Sequence, residues 1–268
     1  MQPASVRGAA LEYERHGSGE PVLLIHGVLV GDLLRPLVDE DGLARYELIV
    51  YHRRGVAGSD AVAPPFTIGD QAADVSALLQ ELGVGRAHVV GHSYGAAIAL
   101  QLAVDAPDSV HTLTLLEAPS VMVPSAQQVV EAMGPIGERF ASGDKEGATD
   151  AFLAAMGGAG YREPLDRLLP GAFDRAVADS DALFTVEFPA LGEWGLSEAD
   201  ARQIDAPVLR VVGENTIPWF VESDALLAEW LPESERSNVP GAGHFFPIQN
   251  SERVAEILAT FFASHPMS

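Results

Sequence analysis

Ser93 stands at the centre of Gly91-His92-Ser93-Tyr94-Gly95, a G-x-S-x-G run. Apolar and β-branched residues from Ala87 to Val90 predict a strand before it, and the helix formers from Ala96 to Val104 predict a helix after it. A serine at so sharp a strand-to-helix bend holds its hydroxyl clear of the sheet. The amide of the next residue, Tyr94, then points to where negative charge develops on an attacked carbonyl oxygen. Glycine is frequent, 26 of 268 residues, so the pattern alone would arise by chance roughly 0.15 times per chain, and its context must support it.

A hydroxyl nucleophile needs a base. The candidate is His244, in the loop Pro240-Gly241-Ala242-Gly243-His244 that precedes the last expected helix. His88 and His92 are four residues apart but straddle a strand and a turn, so they make no metal-binding pair, and no metal is expected. Upstream, the continuous apolar run Val22-Leu23-Leu24-Ile25 reads as a strand buried on both faces, ended by His26-Gly27. The amide of Val28 would then face the same space as that of Tyr94, as a second oxyanion donor; the plainer alternative is an ordinary strand-to-helix turn. Glu117 directly follows the extended run Val110 to Leu116. It lies at the carboxyl end of the strand after the elbow strand, where open α/β sheets place ligands.

These residues need a scaffold, and its elements are readable. Arg7 to His16 predicts an early strand or hairpin arm, Leu33 to Leu43 a helix, and Tyr46 to Tyr51 a strand. A glycine-punctuated loop, His52 to Ser59, carries Arg53 and Arg54, which are expected to tie it to carboxylates; anion binding is the alternative. Ile68 to Leu82 has helical periodicity, Pro207 to Gly213 and Glu235 to Val239 predict strands, and Asp224 to Leu231 and Ser251 to Phe262 predict helices. From 119 to 203 the pattern is helical, with no convincing strand. The expectation is an α/β fold, a mostly parallel central sheet with helices on both faces. Its core is residues 1–118 and 204–268, with a helical cap at 119–203. The cap carries more large apolar side chains than flat packing needs, so some should line a pocket; Trp194, Met122, Phe188 and Leu191 are the candidates.

Composition bounds the function. A chain of 268 residues with 47% hydrophobic content buries a sizeable core as one domain. A net charge of -22 disfavours nucleic acid and anionic membrane surfaces as partners. No apolar run approaches the roughly 20 residues of a membrane helix, and Met1 to Arg7 lacks the apolar core of a signal peptide, so a cytoplasmic enzyme is expected. The chain has no cysteine, which excludes disulfides and thiolate nucleophiles.

The elbow at 91–95, the His26-Gly27 pair, the Arg54-Gly55-Val56-Ala57-Gly58-Ser59 loop and the late Gly243-His244 together resemble the α/β-hydrolase superfamily over nearly the whole chain. The resemblance implies a serine nucleophile at Ser93, a base at His244, and an oxyanion hole from the Val28 and Tyr94 amides, with no cofactor. Members commonly carry Asp where this chain has His52, a structural position. They also commonly carry the acid a few residues beyond the strand that follows the cap, in a run like Gly-Glu-Asn-Asp, where this chain reads Gly213-Glu214-Asn215-Thr216. Some members, the zearalenone lactonases among them, instead place a glutamate after the strand that follows the elbow. Glu117 matches that position; Glu214, or a Ser-His pair without a dedicated carboxylate, remain alternatives.

The expected activity is hydrolysis of a carboxylic ester or lactone of a hydrophobic small molecule through Ser93, His244 and Glu117. Acyl transfer, thioester hydrolysis and carbon-carbon bond hydrolysis are open to the same residues. From another class, a non-catalytic ligand-binding receptor would share the fold.

Overall fold

The computed structural model describes residues 1–267. Eight strands form one sheet: β1 (Gln2–Val6), β2 (Ala9–Gly17), β3 (Glu20–Ile25), β4 (Tyr46–Tyr51), β5 (Ala87–His92), β6 (Val110–Leu116), β7 (Val208–Gly213) and β8 (Glu235–Val239). Their spatial order is β1-β2-β4-β3-β5-β6-β7-β8. The β1/β2 and β2/β4 pairs are antiparallel, and every later pair is parallel. The continuous apolar runs fall at the centre, where β5 and β7 are buried along their whole length. A strand covered by helices on both faces has no solvent side to make polar, which is why these runs do not alternate.

Helices α1 (Ile68–Glu81) and α2 (Tyr94–Asp105) pack on one face of the sheet. A reciprocal cap between Thr67 and Asp70 fixes the start of α1. Between β6 and β7 lie α3 (Pro124–Ala141), α4 (Lys145–Gly157), α5 (Arg162–Leu168), α6 (Ala172–Ala178), α7 (Ser180–Ala182), a π-helical stretch at Leu183–Glu187, α8 (Phe188–Glu193) and α9 (Glu198–Ala201). After β7 come α10 (Pro218–Trp230), α11 (Phe246–Gln249) and α12 (Ser251–Ser264), the last covering the second face of the sheet. The inserted helices build a third apolar cluster, in which Phe152, Met156 and Phe173 meet Leu29, Leu33 and Phe245 from the loops above the sheet and Phe220 from α10.

Two expectations are corrected. Leu33 to Leu43 forms no continuous helix but two 3-10 turns, Arg35–Asp39 and Asp41–Leu43, separated at Glu40 by extended backbone (φ -84°, ψ 124°). Pro36 and Gly42 are poor helix formers, and so short a segment cannot offset them by packing. The helix expected from Asp224 begins a turn and a half earlier, at Pro218, a residue suited to a first helical position because its missing N–H costs nothing there. Among the described residues, no helix is long and apolar enough to cross a membrane.

Candidate active site

The site is assembled at the carboxyl edge of the parallel strands, from the loops that follow β3, β5, β6, β7 and β8. At the end of β5 the chain turns through Ser93, held at φ 55° and ψ -124°. That conformation is strained for a residue with a Cβ, at about 1–3 kcal/mol. Close packing on both sides holds it there. A Cβ on Gly91 would fall 2.3 Å from the Gly95 carbonyl oxygen, and one on Gly95 would fall 2.2 Å from that of Ile25, so the helix can approach the sheet only with glycine at both places. Tyr94 opens α2, and its amide is among the N–H groups that a helix leaves without an internal partner. The Gly27-Val28 loop passes directly over the bend, since a Cβ on Gly27 would lie 3.1 Å from Ser93 Cβ.

The next strand end places a carboxylate against the His244 imidazole. Glu117 follows β6 at φ 53°, its amide donating to the Val211 carbonyl at 3.1 Å. Its carboxylate is buried and fully engaged. Oε1 accepts from the Gly213 amide at 2.7 Å, and Oε2 accepts from Thr216 Oγ1 at 3.0 Å and from His244 Nδ1 at 2.5 Å. Three donors thus converge on its two oxygens. With Nδ1 donating, Nε2 of His244 is left as the free base.

Two rings fix the His244 imidazole. Phe220 stacks on it with centroids 4.0 Å apart and planes 9° from parallel. The His92 ring lies 4.6 Å away, and His92 Nε2 donates to the His244 carbonyl at 3.0 Å. Burial, reinforced by the nearby His244, holds His92 well below the ordinary histidine range, so it is neutral and its proton sits on Nε2, the nitrogen that faces an acceptor. Ser93 and His244 line one lobe of free space with Val28, Phe152, Met156 and Phe245, of about 20 Å³. A second lobe, about 40 Å³, adjoins Ser93 among Val28, Tyr94, Met133, Phe188, Leu191 and Trp219. Each is about the volume of one water molecule. Among the described residues Ser93 Oγ makes no hydrogen bond to His244, as is common before substrate draws such groups together.

The structure therefore brings together Ser93, His244, Glu117, Val28, Tyr94, Phe188 and Leu191. Glu214 is not among them: its Oε2 accepts from the Gly241 amide at 2.8 Å on the exposed side of the loop. Trp194 and Met122 are also elsewhere. They line a separate crevice with Leu100, Leu227 and Trp230; the Trp194 indole is anchored by donating to Gln101 Oε1 at 2.9 Å, and Met122 is 58% exposed. A larger hollow of about 480 Å³, beside Pro207, Trp230 and Ser234, sits at the amino edge of β7 and β8, and neither Ser93, Glu117 nor His244 lines it.

Three contributors leave no local mark in the sequence. Thr216 donates to the carboxylate on the neighbouring strand end. Phe220 and His92 act on the imidazole only through tertiary contact, which no local pattern records. Both arginines of the glycine-punctuated loop bind carboxylates, Arg53 with Glu187 and Arg54 with Asp74. His52, in the place of the usual Asp, bonds Glu12 at 3.2 Å and Asp32 at 3.0 Å.

The family model of the α/β hydrolase fold matches residues 20–251, so the chain belongs to that family. A Variovorax paradoxus protein assigned as the carbamate hydrolase RutD is 38% identical over 277 residues, covering 94% of this chain and 96% of that protein. An Azorhizobium caulinodans protein of the same assignment is 38% identical over 109 residues, 40% of this chain and 41% of that protein, so the chain spans less than half the length of that relative. Among solved structures, Est816, described as an N-acyl homoserine lactone degrading enzyme, has a TM-score of 0.74 at 26% identity, covering 97% of this chain and 99% of its own.

Proposed function

We propose that the chain hydrolyses neutral, apolar carboxylic esters or lactones through Ser93, His244 and Glu117. The observation that carries this is the Glu117–His244 bond of 2.5 Å, made by a carboxylate saturated with donors, beside a strained serine in the same cavity. His244 Nε2 takes the Ser93 proton as Oγ bonds to the carbonyl carbon. The oxyanion so formed is met by the Val28 and Tyr94 amides and by the positive end of α2. As the tetrahedral species collapses, His244 returns the proton to the departing alkoxide, which in a lactone stays tethered to the acyl group. Water then attacks the acyl-enzyme with His244 as base, releasing the acid and restoring Ser93.

The substrate class follows from the walls. Apart from Ser93, Tyr94, His244, Gly27 and the neutral His92, the two lobes are lined by Val28, Val30, Leu33, Pro119, Val129, Met133, Phe152, Leu153, Met156, Phe188, Leu191, Trp219 and Phe245, with no charged side chain. A charged acyl group would lose its hydration there without a partner. The lobes leave little free space, and parting of the inserted helices would admit an acyl chain. The likeness to a lactone-degrading enzyme of the same fold supports the lactone arm.

Turnover of p-nitrophenyl acetate, butyrate and octanoate, of alkyl-substituted γ-lactones and of a succinate half-ester tests the reading. Neutral apolar substrates should be hydrolysed, and the half-ester should lag by at least about a hundredfold in kcat/KM, about 2.7 kcal/mol. Preference for the half-ester would overturn the apolar assignment. Release of an ester of added methanol in place of acid would make acyl transfer the better description.

A further inference from the structure

One buried charge pair is not used by the chemistry above. Arg53 and Glu187 are each 2% exposed and bonded at 2.5 Å, although they lie 134 residues apart. Arg53 comes from the loop after β4, and Glu187 ends the π-helical stretch of the inserted helices. Such stretches recur at functional sites. A buried ion pair contributes little net stability beside an apolar pair of the same shape, so stability alone gives a weak reason for one here.

The remaining Arg53 contacts point to the reaction. Nη2 donates to the Gly27 carbonyl at 2.7 Å, and Nη1 donates to Gln71 Oε1 at 2.6 Å as well as to Glu187. The Gly27 carbonyl also receives His26 Nδ1 at 2.7 Å. The Arg53 amide donates to His26 Nε2 at 3.1 Å, which fixes the proton of that ring on Nδ1. Gln71 passes the contact on, donating to the Tyr94 hydroxyl at 2.9 Å, while the Arg53 guanidinium lies 5.0 Å from the centre of the Tyr94 ring. The Gly27 carbonyl and the Val28 N–H belong to one planar peptide. Two donors on that oxygen, one of them cationic, draw electron density from the peptide nitrogen and hold its plane, which strengthens the N–H as a donor on the opposite side.

We propose that Arg53 is a positioning residue that orients and polarises the Gly27–Val28 peptide as an oxyanion donor, and that Glu187 holds it there, tying the inserted helices to the oxyanion hole. The inference rests on the reading of Ser93 and the Val28 and Tyr94 amides given above. A group that acts only on the developing oxyanion affects the transition state and not ground-state binding, so its loss lowers kcat and leaves KM.

The test uses Arg53→Lys, Arg53→Met and Glu187→Gln on one ester substrate, with active-site titration to correct for misfolded protein. An alkylboronic acid, which forms a tetrahedral adduct on an activated serine, serves as transition-state mimic. A lysine ammonium keeps the charge but cannot serve Gly27, Gln71 and Glu187 together. The expected result is a kcat per active site about tenfold lower for Arg53→Lys and about a hundredfold lower for Arg53→Met, at most the lower end of the cost of deleting an oxyanion donor outright. The boronate should weaken by the same factors, KM should stay within about threefold, and Glu187→Gln, which keeps an acceptor on Nη1, should fall less than Arg53→Lys. If Arg53→Met does not fold, the lysine variant carries the test. A folded Arg53→Lys with wild-type kcat and boronate affinity, or with raised KM at unchanged kcat, would overturn the proposal. Ser93→Ala runs beside it: turnover there within about tenfold of wild type would bring down the reading of the site, whereas a Ser93→Ala lowered by several orders of magnitude beside a wild-type Arg53→Lys would bring down this inference alone.

Discussion

Replacing Glu117 by glutamine removes one charge and almost no volume, yet the hydrogen-bond inventory makes it severe. The carboxylate accepts from the Gly213 amide, from Thr216 Oγ1 and from His244 Nδ1. Glutamine offers a single acceptor oxygen and an NH₂ that can only donate. The Gly213 amide is fixed in β7 and claims the oxygen, so the NH₂ turns toward Thr216 and His244. Thr216 can rotate its hydroxyl to accept; His244 can accept only by moving its proton to Nε2, and the base that faces Ser93 is then lost. In the serine protease template the same loss of charge and tautomer costs about 10⁴ in kcat, or about 5 kcal/mol of transition-state stabilisation. The fold should lose about 1–3 kcal/mol for the imperfectly paired buried donor, which stability in urea would register. Turnover of p-nitrophenyl butyrate by folded protein is the assay, with Glu214→Gln as the control expected within about twofold of wild type. A Glu117→Gln enzyme within tenfold of wild type, or a larger loss in Glu214→Gln, would refute the tautomer argument.

Other perturbations follow from the same contacts. Thr216 Oγ1 lies 3.0 Å from the Glu117 oxygen that His244 touches, so Glu117→Ala with Thr216→Asp should recover at least about tenfold of the activity lost in Glu117→Ala alone. No recovery in a folded double variant would show that residue 216 cannot reach the imidazole. Phe188→Ala should raise kcat/KM for branched acyl groups, whereas Trp194→Ala should change selectivity by less than about twofold, because only the first residue adjoins Ser93. Equal effects of the two in a paired ester series would contradict that separation.

The fold should also weaken in mild acid. Burial holds His26 and His92 well below the ordinary histidine range and lowers His88 to about 4. In each case the unfolded chain binds a proton that the folded chain refuses. Stability is therefore complete above the unfolded value near 6.5 and is lost as pH falls below it, at up to about 1.4 kcal/mol per pH unit for each fully refusing group. A Tm unchanged between pH 7 and pH 5 would show that these rings are not kept neutral.

How far the site was legible depended on where its constraints lie. The elbow is written locally, because the contacts that exclude a Cβ at Gly91 and Gly95 leave glycine as the only tolerated residue on each side of Ser93. The strands that carry it were legible for a similar reason: β5 and β7 are buried on both faces and read as unbroken apolar runs. Glu117 was readable as a strand-end carboxylate, but its choice over Glu214 needed the pairing of β6 with β7, which sets the Gly213 amide against it. Thr216 could not be read at all, since its partner is 99 residues away. The Arg53–Glu187 pair was out of reach for the same reason. The inserted helices were legible as helices, yet not which apolar side chains face the serine: Trp194 and Leu191 are three residues apart and point into different crevices.

The central claim is that Ser93 is an activated nucleophile, and covalent capture tests it most directly. Wild-type protein and Ser93→Ala, both shown to be folded, would be treated with a small alkyl fluorophosphonate and mapped by peptide mass. The account predicts one adduct, at Ser93, absent from the alanine variant and slowed in Glu117→Gln by a factor close to its loss of turnover. Folded wild-type protein that stays unlabelled by methyl and ethyl probes, or that carries its adduct on another residue, would contradict it.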